Sequence, residues 1–185
     1  GLETMPVLVR NLDDDAATII MVDSNLQREN ILPSERAFAY KMKLSSMKRQ
    51  AGRPTKENAS QVGTQKRSDQ VLAEQMGERR NQVQRYIRLT ELITELLDMV
   101  DDKKIAFNPA VELSYLKPEE QTNLLEAMDM EQATPSLSQA QRLKKFSAEG
   151  KCTLEAMCAI MSEEKKGVLD KVTLSSDKLR KYFPK

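Results

Sequence analysis

Through most of the chain apolar residues return every three or four positions, the period of a helix with one buried face. The exception comes first: PVLVR, residues 6–10, is a short apolar run that reads as a strand. DDDAATIIMVDSNLQ (13–27) then reads as a helix, with Asp13, Asp14 and Asp15 at the end where the helix dipole favours negative charge. A lone strand has no ladder partner, so the chain is expected to begin inside a domain, with Gly1 at a cut within it. LPSERAFAYKMKLSSMKRQ (32–50) predicts the next helix, with Pro33 and Ser34 at its start and Ala37, Tyr40, Leu44 and Met47 along one face.

AGRPTKENASQVGTQKRS (51–68) breaks the pattern, being polar and aperiodic and carrying two glycines and a proline. It reads as a linker or exposed loop. Its GRP triplet also fits an A·T-rich minor groove, on a match of three residues.

The period resumes in VLAEQMGERRNQVQRYIRL (71–89), where Ser68 is expected to cap a helix carrying Val71, Leu72 and Met76, and Gly77 to end it. A second helix starts near Arg80 and places Val83, Tyr86 and Ile87 on one face. Two short helices meeting at a glycine, with Ala73 four residues earlier to allow close approach, have the spacing of a helix-turn-helix. Glu78 departs from that pattern, standing where an apolar residue is common. Outside the packing face lie Arg79, Arg80, Asn81, Gln84 and Arg85, with Arg88 one turn on. Arginine pairs bidentately with guanine, and asparagine or glutamine with adenine, so these are the side chains that read base edges or hold phosphates. Lys48 and Arg67 join them as candidates for holding DNA. A solvated basic face on an ordinary helical hairpin is the competing reading.

Further helices are predicted at LITELLDMVDDKKI (92–105), at AVELSYL after Asn108 and Pro109, and at EEQTNLLEAM after Pro118. They are expected to buttress the helix-turn-helix. Ser136 and Thr153 are read as caps of helices over 136–150 and 153–167, and SSDKLRKYF begins another before Pro184. Arg142, Lys144 and Lys145 suit either phosphate binding or a solvated face.

Charge sharpens this picture. The chain has 185 residues and a net charge of +1, but residues 1–40 sum to −4, 41–90 to +8, 91–135 to −8 and 136–185 to +5. A polyanion would be attracted to the block holding the two short helices, although the average looks neutral. No apolar run approaches the roughly 18 to 20 residues of a membrane-spanning helix, and no charged-then-apolar leader opens the sequence. There is no histidine and only Cys152 and Cys158, too few ligands for a zinc site, so the two thiols read as half-buried and structural in a reducing cytosol. The same lack removes the commonest general base, and no catalytic or metal-binding residue is assigned.

Two motifs in order carry a family resemblance. MPVLVRNLDDDAATIIMVDSNLQRENILPSERAFAY resembles the end of the amino-terminal domain of ParB partition proteins, most specifically in NLQREN and ERAFAY. SDQVLAEQMGERRNQVQRYIRL looks like the helix-turn-helix of the same family, and LLDMVDDKKIAFNPAVELSYL is similar to the segment after it. The resemblance spans about residues 5–127. It implies a dimeric protein that binds a palindromic, centromere-like DNA site and works with a ParA-type ATPase to segregate a plasmid, a chromosome or an integrated element, in the cytoplasm at the nucleoid or plasmid. It also implies a cytidine triphosphate and magnesium pocket in longer members, with Asn25 and Arg28 as the pocket residues carried over. Ser24 stands where typical members have glutamate, which removes a carboxylate, and the family's upstream arginine-containing phosphate motif is not recognisable. No cofactor is therefore expected for this chain by itself, and a full-length protein is expected to extend past Lys185.

The fold expected is mainly α: a multi-helix DNA-binding domain containing a helix-turn-helix, preceded by a small strand-plus-helix remnant of an α/β domain. Its parts are the tail of a ParB-like amino-terminal domain with a connecting helix (1–50), a linker (51–67), the DNA-binding domain with its buttresses (68–135) and further helices (136–185). Sequence-specific binding of double-stranded DNA is the first function expected. A nucleotide-hydrolysing switch in the full-length protein and an adaptor for a ParA-like ATPase are the alternatives.

Overall fold

The computed structural model describes residues 9–51 and 67–163. Described residues fold into nine α-helices and no strand: α1 Asp14–Leu26, α2 Pro33–Ala51, α3 Ser68–Gln75, α4 Arg80–Leu89, α5 Thr94–Asp101, α6 Phe107–Leu113, α7 Pro118–Glu131, α8 Leu137–Ala148 and α9 Leu154–Met161. Of the expected strand at 6–10, residues 6–8 lie outside the described residues, and Val9 and Arg10 have no regular structure, with Val9 89% exposed. Most of the expected linker and the expected helix at SSDKLRKYF also lie outside them.

Helix ends follow local chemistry. Asp13 caps α1, its side chain accepting from the Ala16 amide at 2.7 Å. Ser136 and Thr153 cap α8 and α9 as expected, accepting from the amides of Gln139 and Ala156. Gln139 completes a capping box by accepting from the Ser136 amide at 2.9 Å, while its Nε2 donates across to the Ile160 carbonyl of α9. Ser68 does not cap α3. It is the first helical residue, and Arg67 occupies the cap position without a side-chain hydrogen bond. Likewise α6 starts at Phe107, so Pro109 sits inside its first turn, where its missing N–H has no helical partner to lose.

Two apolar clusters hold the helices. In the smaller, Tyr40 and Leu44 of α2, Leu72 and Ala73 of α3 and Val83 of α4 are buried together, with Met76, Tyr86 and Ile87 packed against them. The larger runs from Ala37 and Leu89 through Leu96, Leu113 and Leu124 to Leu143 and Met157, joining α5–α9 to the base of α4. This is the buttressing expected of the acidic helices. Helix α2 touches α1, α3, α4 and α5, and its amino terminus is capped from α5: Asp101 accepts from the Ser34 amide at 3.0 Å and from its hydroxyl. Buried Gln121 of α7 pins the turn after α4, accepting from the Ile93 amide at 2.8 Å and donating to the Glu91 and Leu116 carbonyls. Both cysteines are free thiols. Cys152 is buried just before α9 and Cys158 half-buried within it; burial, then the charge of Glu120, pushes the Cys152 thiol up to about 11.

The α3–α4 turn depends on Gly77, at φ +66°. A Cβ there would meet nothing within 4 Å, so the residue is needed for backbone conformation and not for space. Gly77→Ala is expected to lower stability by about 1 to 2 kcal/mol and Gly77→Asn by less, measured by denaturant unfolding. Equal stability of all three proteins would contradict a left-handed turn.

Candidate nucleic-acid interface

Helices α3 and α4 are set by their shared buried face, Leu72 and Ala73 against Val83, and the chain reverses between them at Gly77. The turn is closed by the Glu78 amide donating to the Ala73 carbonyl at 2.9 Å and the Met76 amide donating to the Leu72 carbonyl at 3.0 Å. Glu78, the exception to the helix-turn-helix pattern, is tied to α2. Its Oε1 accepts from the Tyr40 hydroxyl at 3.2 Å and from Arg36 at 3.4 Å. Burial first, then the Glu78 charge, holds the Tyr40 hydroxyl well above its ordinary range, so it stays a donor. A carboxylate replaces the usual apolar residue because α2 brings it a phenol and a guanidinium.

The amino-terminal half of α4 faces outward. Arg79, Arg80, Asn81 and Gln84 are all exposed, Arg79 as the cap residue. Arg85 is half-buried, its guanidinium bonded to Asn108 and lying 5.1 Å from the Phe107 ring centroid, so it also fastens α4 to the start of α6. Arg88 is half-buried too, donating to the Ser114 carbonyl at 2.7 Å and lying 4.2 Å from the Tyr115 ring centroid. These contacts hold Arg88 at the end of α6 and leave the outward stripe to the first turns of α4. Lys48 and Arg67 are exposed, at the end of α2 and the start of α3 respectively. In the second basic block Arg142 pairs with Glu163 and Lys144 with Glu112, which offsets two of its cations; Lys145 is exposed.

The residue that periodicity does not reveal is Asp69. It lies in the first turn of α3, 7% exposed, and its Oδ2 accepts from Arg80 Nε at 2.6 Å and from Gln84 Nε2 at 3.1 Å. Arg67 stands 3.7 Å from its Oδ1. Burial pushes the Asp69 carboxyl up, but the hydrogen bond and charge of Arg80, the charge of Arg67 and the Gln84 hydrogen bond outweigh it and hold the group below its ordinary value. An acidic residue at a helix start reads from sequence as a dipole partner, and its reach to α4 is visible only once the turn is folded.

Residues 55–134 match the ParB HTH domain. Over those residues the chain is similar to the helix-turn-helix domain of ParB-family proteins. It is similar to a nucleoid occlusion protein of Listeria innocua, 29% identical over 120 residues that cover 65% of this chain and 36% of that protein. It is also similar to the chromosome-partitioning protein Spo0J of Thermus thermophilus, 28% identical over 120 residues, 65% of this chain and 38% of that protein. The match therefore spans little more than a third of these relatives' length. Among the described residues no helix is long and apolar enough to cross a membrane.

Outside the matched residues, Asn25 and Arg28 stand exposed at the carboxy-terminal end of α1, on the rim of a groove between α1 and α2. The groove is mainly apolar, lined by Met21, Val22, Leu26, Phe38 and Met42, and Arg28 is the one cation among its lining residues. A triphosphate needs several converging donors, and the end of a helix presents carbonyls instead. These residues do not by themselves fit a nucleoside triphosphate. No group of three or more acidic or cysteine side chains placed to hold a metal ion occurs among the described residues.

The lowered Asp69 carboxyl gives a pH signature. A group depressed in the folded state stabilises above its unfolded value, here the ordinary 3.8, and that stability is lost as pH falls through the folded value. The stability advantage of wild type over Asp69→Asn is expected to be constant from about pH 7 to 5 and to shrink below about 4, measured by urea unfolding across that range. An advantage unchanged down to about pH 2 would mean that the carboxylate charge contributes nothing.

Proposed function

We propose that the chain binds double-stranded DNA sequence-specifically, laying the first turns of α4 in the major groove, as part of a centromere-site-binding protein for partition. The observation that carries this is the outward stripe of Arg79, Arg80, Asn81 and Gln84 on a helix mounted by a ParB-type turn. Those side chains supply the guanidinium and amide groups that pair with guanine and adenine edges. Lys48 and Arg67, at the two ends of the linker that precedes the stripe, serve as phosphate contacts.

A helix-turn-helix reading one half-site suits a dimer on a palindrome, with two recognition helices one turn of duplex apart. The relatives' names, a nucleoid occlusion protein and a chromosome-partitioning protein, support a role at the nucleoid; a ParA-type ATPase as protein partner and the cytoplasm as location complete the proposed reading. On this reading the 185-residue chain uses no cofactor by itself, and cytidine triphosphate with magnesium belongs to a longer family member.

Selection of bound duplexes from a random pool tests the reading. An inverted repeat is expected to be enriched by the wild type and lost when Arg80, Gln84 and Arg85 are all changed to Ala. Asn81→Ala or Gln84→Ala is expected to weaken the selected site by about 1 to 3 kcal/mol with little effect on random duplex. Lys48→Ala is expected to weaken all sequences alike and to reduce the slope of log affinity against log salt by about 0.9. No enrichment by the folded wild type would favour an adaptor role for the helices.

A further inference from the structure

The two hydrogen bonds on Asp69 have a consequence for base recognition, which rests on the DNA reading above. Carboxylate oxygens only accept hydrogen bonds. Gln84, 3.1 Å from Asp69 Oδ2, must therefore turn its Nε2 amide toward the carboxylate. That leaves Oε1 and the second N–H of the amide to face outward. Arg80 gives its Nε to the same oxygen at 2.6 Å, so its terminal nitrogens are the groups left for a ligand. Asp69 is itself held in place, buried in the first turn of α3 with Arg67 beside its other oxygen.

In the major groove adenine offers an acceptor at N7 and a donor at N6, while guanine offers two acceptors, N7 and O6. An amide oriented by Asp69 presents an acceptor beside a donor and matches adenine. Its Oε1 faces the O4 of thymine or the O6 of guanine acceptor to acceptor. The fork left on Arg80 presents donors alone and matches guanine or a phosphate. One buried carboxylate thus assigns different hydrogen-bonding patterns to two neighbouring side chains.

We propose that Asp69 is a positioning residue that determines base specificity: without reaching DNA, it fixes which atoms Gln84 and Arg80 present, selecting adenine opposite Gln84. Asparagine at 69 keeps the size but offers an amide that accepts or donates, so Gln84 is free to turn either way. A residue that only stabilised the α3–α4 pair would lower affinity for every sequence in proportion and leave the pattern of preferred bases unchanged.

The test is duplex selection with the 185-residue chain as wild type, Asp69→Asn and Gln84→Ala. Wild type is expected to require adenine at one position of each half-site, and Gln84→Ala to lose that requirement. Asp69→Asn is expected to admit guanine or thymine at the same position, with the adenine preference falling at least about fivefold. Its affinity for random duplex should hold or rise, because a negative charge has been removed near the phosphates. An unchanged base profile in Asp69→Asn overturns the inference and leaves the DNA reading standing, as does an equal loss on all sequences. A wild type that enriches no sequence overturns the DNA reading, and this inference with it. Because Asp69→Asn loosens the α3–α4 contact, a second measurement uses the free wild-type protein. The Arg80 Nε–H resonance is expected to exchange with water more slowly than that of exposed Arg79, and equal rates would overturn the contact itself.

Discussion

The ring of Tyr86 is where the two apolar clusters meet. It packs against both, with the Tyr40 ring of α2 edge-on at 5.7 Å between centroids and the Phe107 ring of α6 at 4.7 Å. Such aromatic pairs contribute about 0.5 to 1.5 kcal/mol each beyond the area they bury. Here they also fix a direction. Because Tyr86 points inward, Arg80, Asn81 and Gln84, well round α4 from it, point outward, while Arg79 is exposed as the extended cap residue before the helix. Arg36 lies 5.4 Å from the same ring and reaches Glu78, so the contact that seats α4 also braces the turn before it. A recognition helix seated on one side only would be free to rock. Held by α2 on one flank and α6 on the other, its outward stripe has one orientation.

Much of that arrangement is legible in the sequence, for reasons that are local. Ala73 and Gly77 announce the turn because close approach and a left-handed backbone restrict which residues are allowed. Leu72, Val83 and Tyr86 announce the packed face because burial repeats with the helix period. What periodicity does not carry is the partner of a polar side chain. Glu78 departs from the helix-turn-helix pattern, and the groups that meet it, Tyr40 and Arg36, lie some forty residues earlier. Nothing in the sequence marks Asp69 as a partner of α4. Gln121 carries no sequence signal, yet it is buried and satisfies two backbone groups in the turn that ends α4 and one between α6 and α7. Arg85 and Arg88 have the right type and spacing for DNA contact. Their added ties to Asn108, Phe107, Ser114 and Tyr115 come from α6 and its carboxy-terminal end, which the helical period of α4 does not encode.

The same limit explains the misplaced caps. Ser68 is a favoured cap residue, but the helix begins at it, with Asp69 in the first turn and turned toward α4. The amino terminus of α2 shows the converse. Its cap is Asp101, sixty-seven residues away, so the start expected from Pro33 and Ser34 is right although its hydrogen-bond partner is remote. Local signals place most helix starts closely, whereas the ends expected at 105 and 167 fall at Asp101 and Met161, and tertiary contacts decide which side chains complete the helices.

Charge follows the same logic. The basic excess of residues 41–90 contains cations that the fold itself uses: buried Lys43 pairs with Asp23, Arg49 with Asp15 and Lys41 with Glu91. Those pairs draw acids from α1 and from the turn after α4, so part of the block's positive charge is matched within the fold. A segment sum therefore overstates the charge offered to a polyanion. What is offered is the exposed set at the start of α4, with Lys48 and Arg67 nearby in the chain. There the acid buried behind the helix, Asp69, directs two of the side chains without cancelling their outward groups. An exposed carboxylate on the same stripe would repel phosphate; placed under the helix, it organises the stripe from behind.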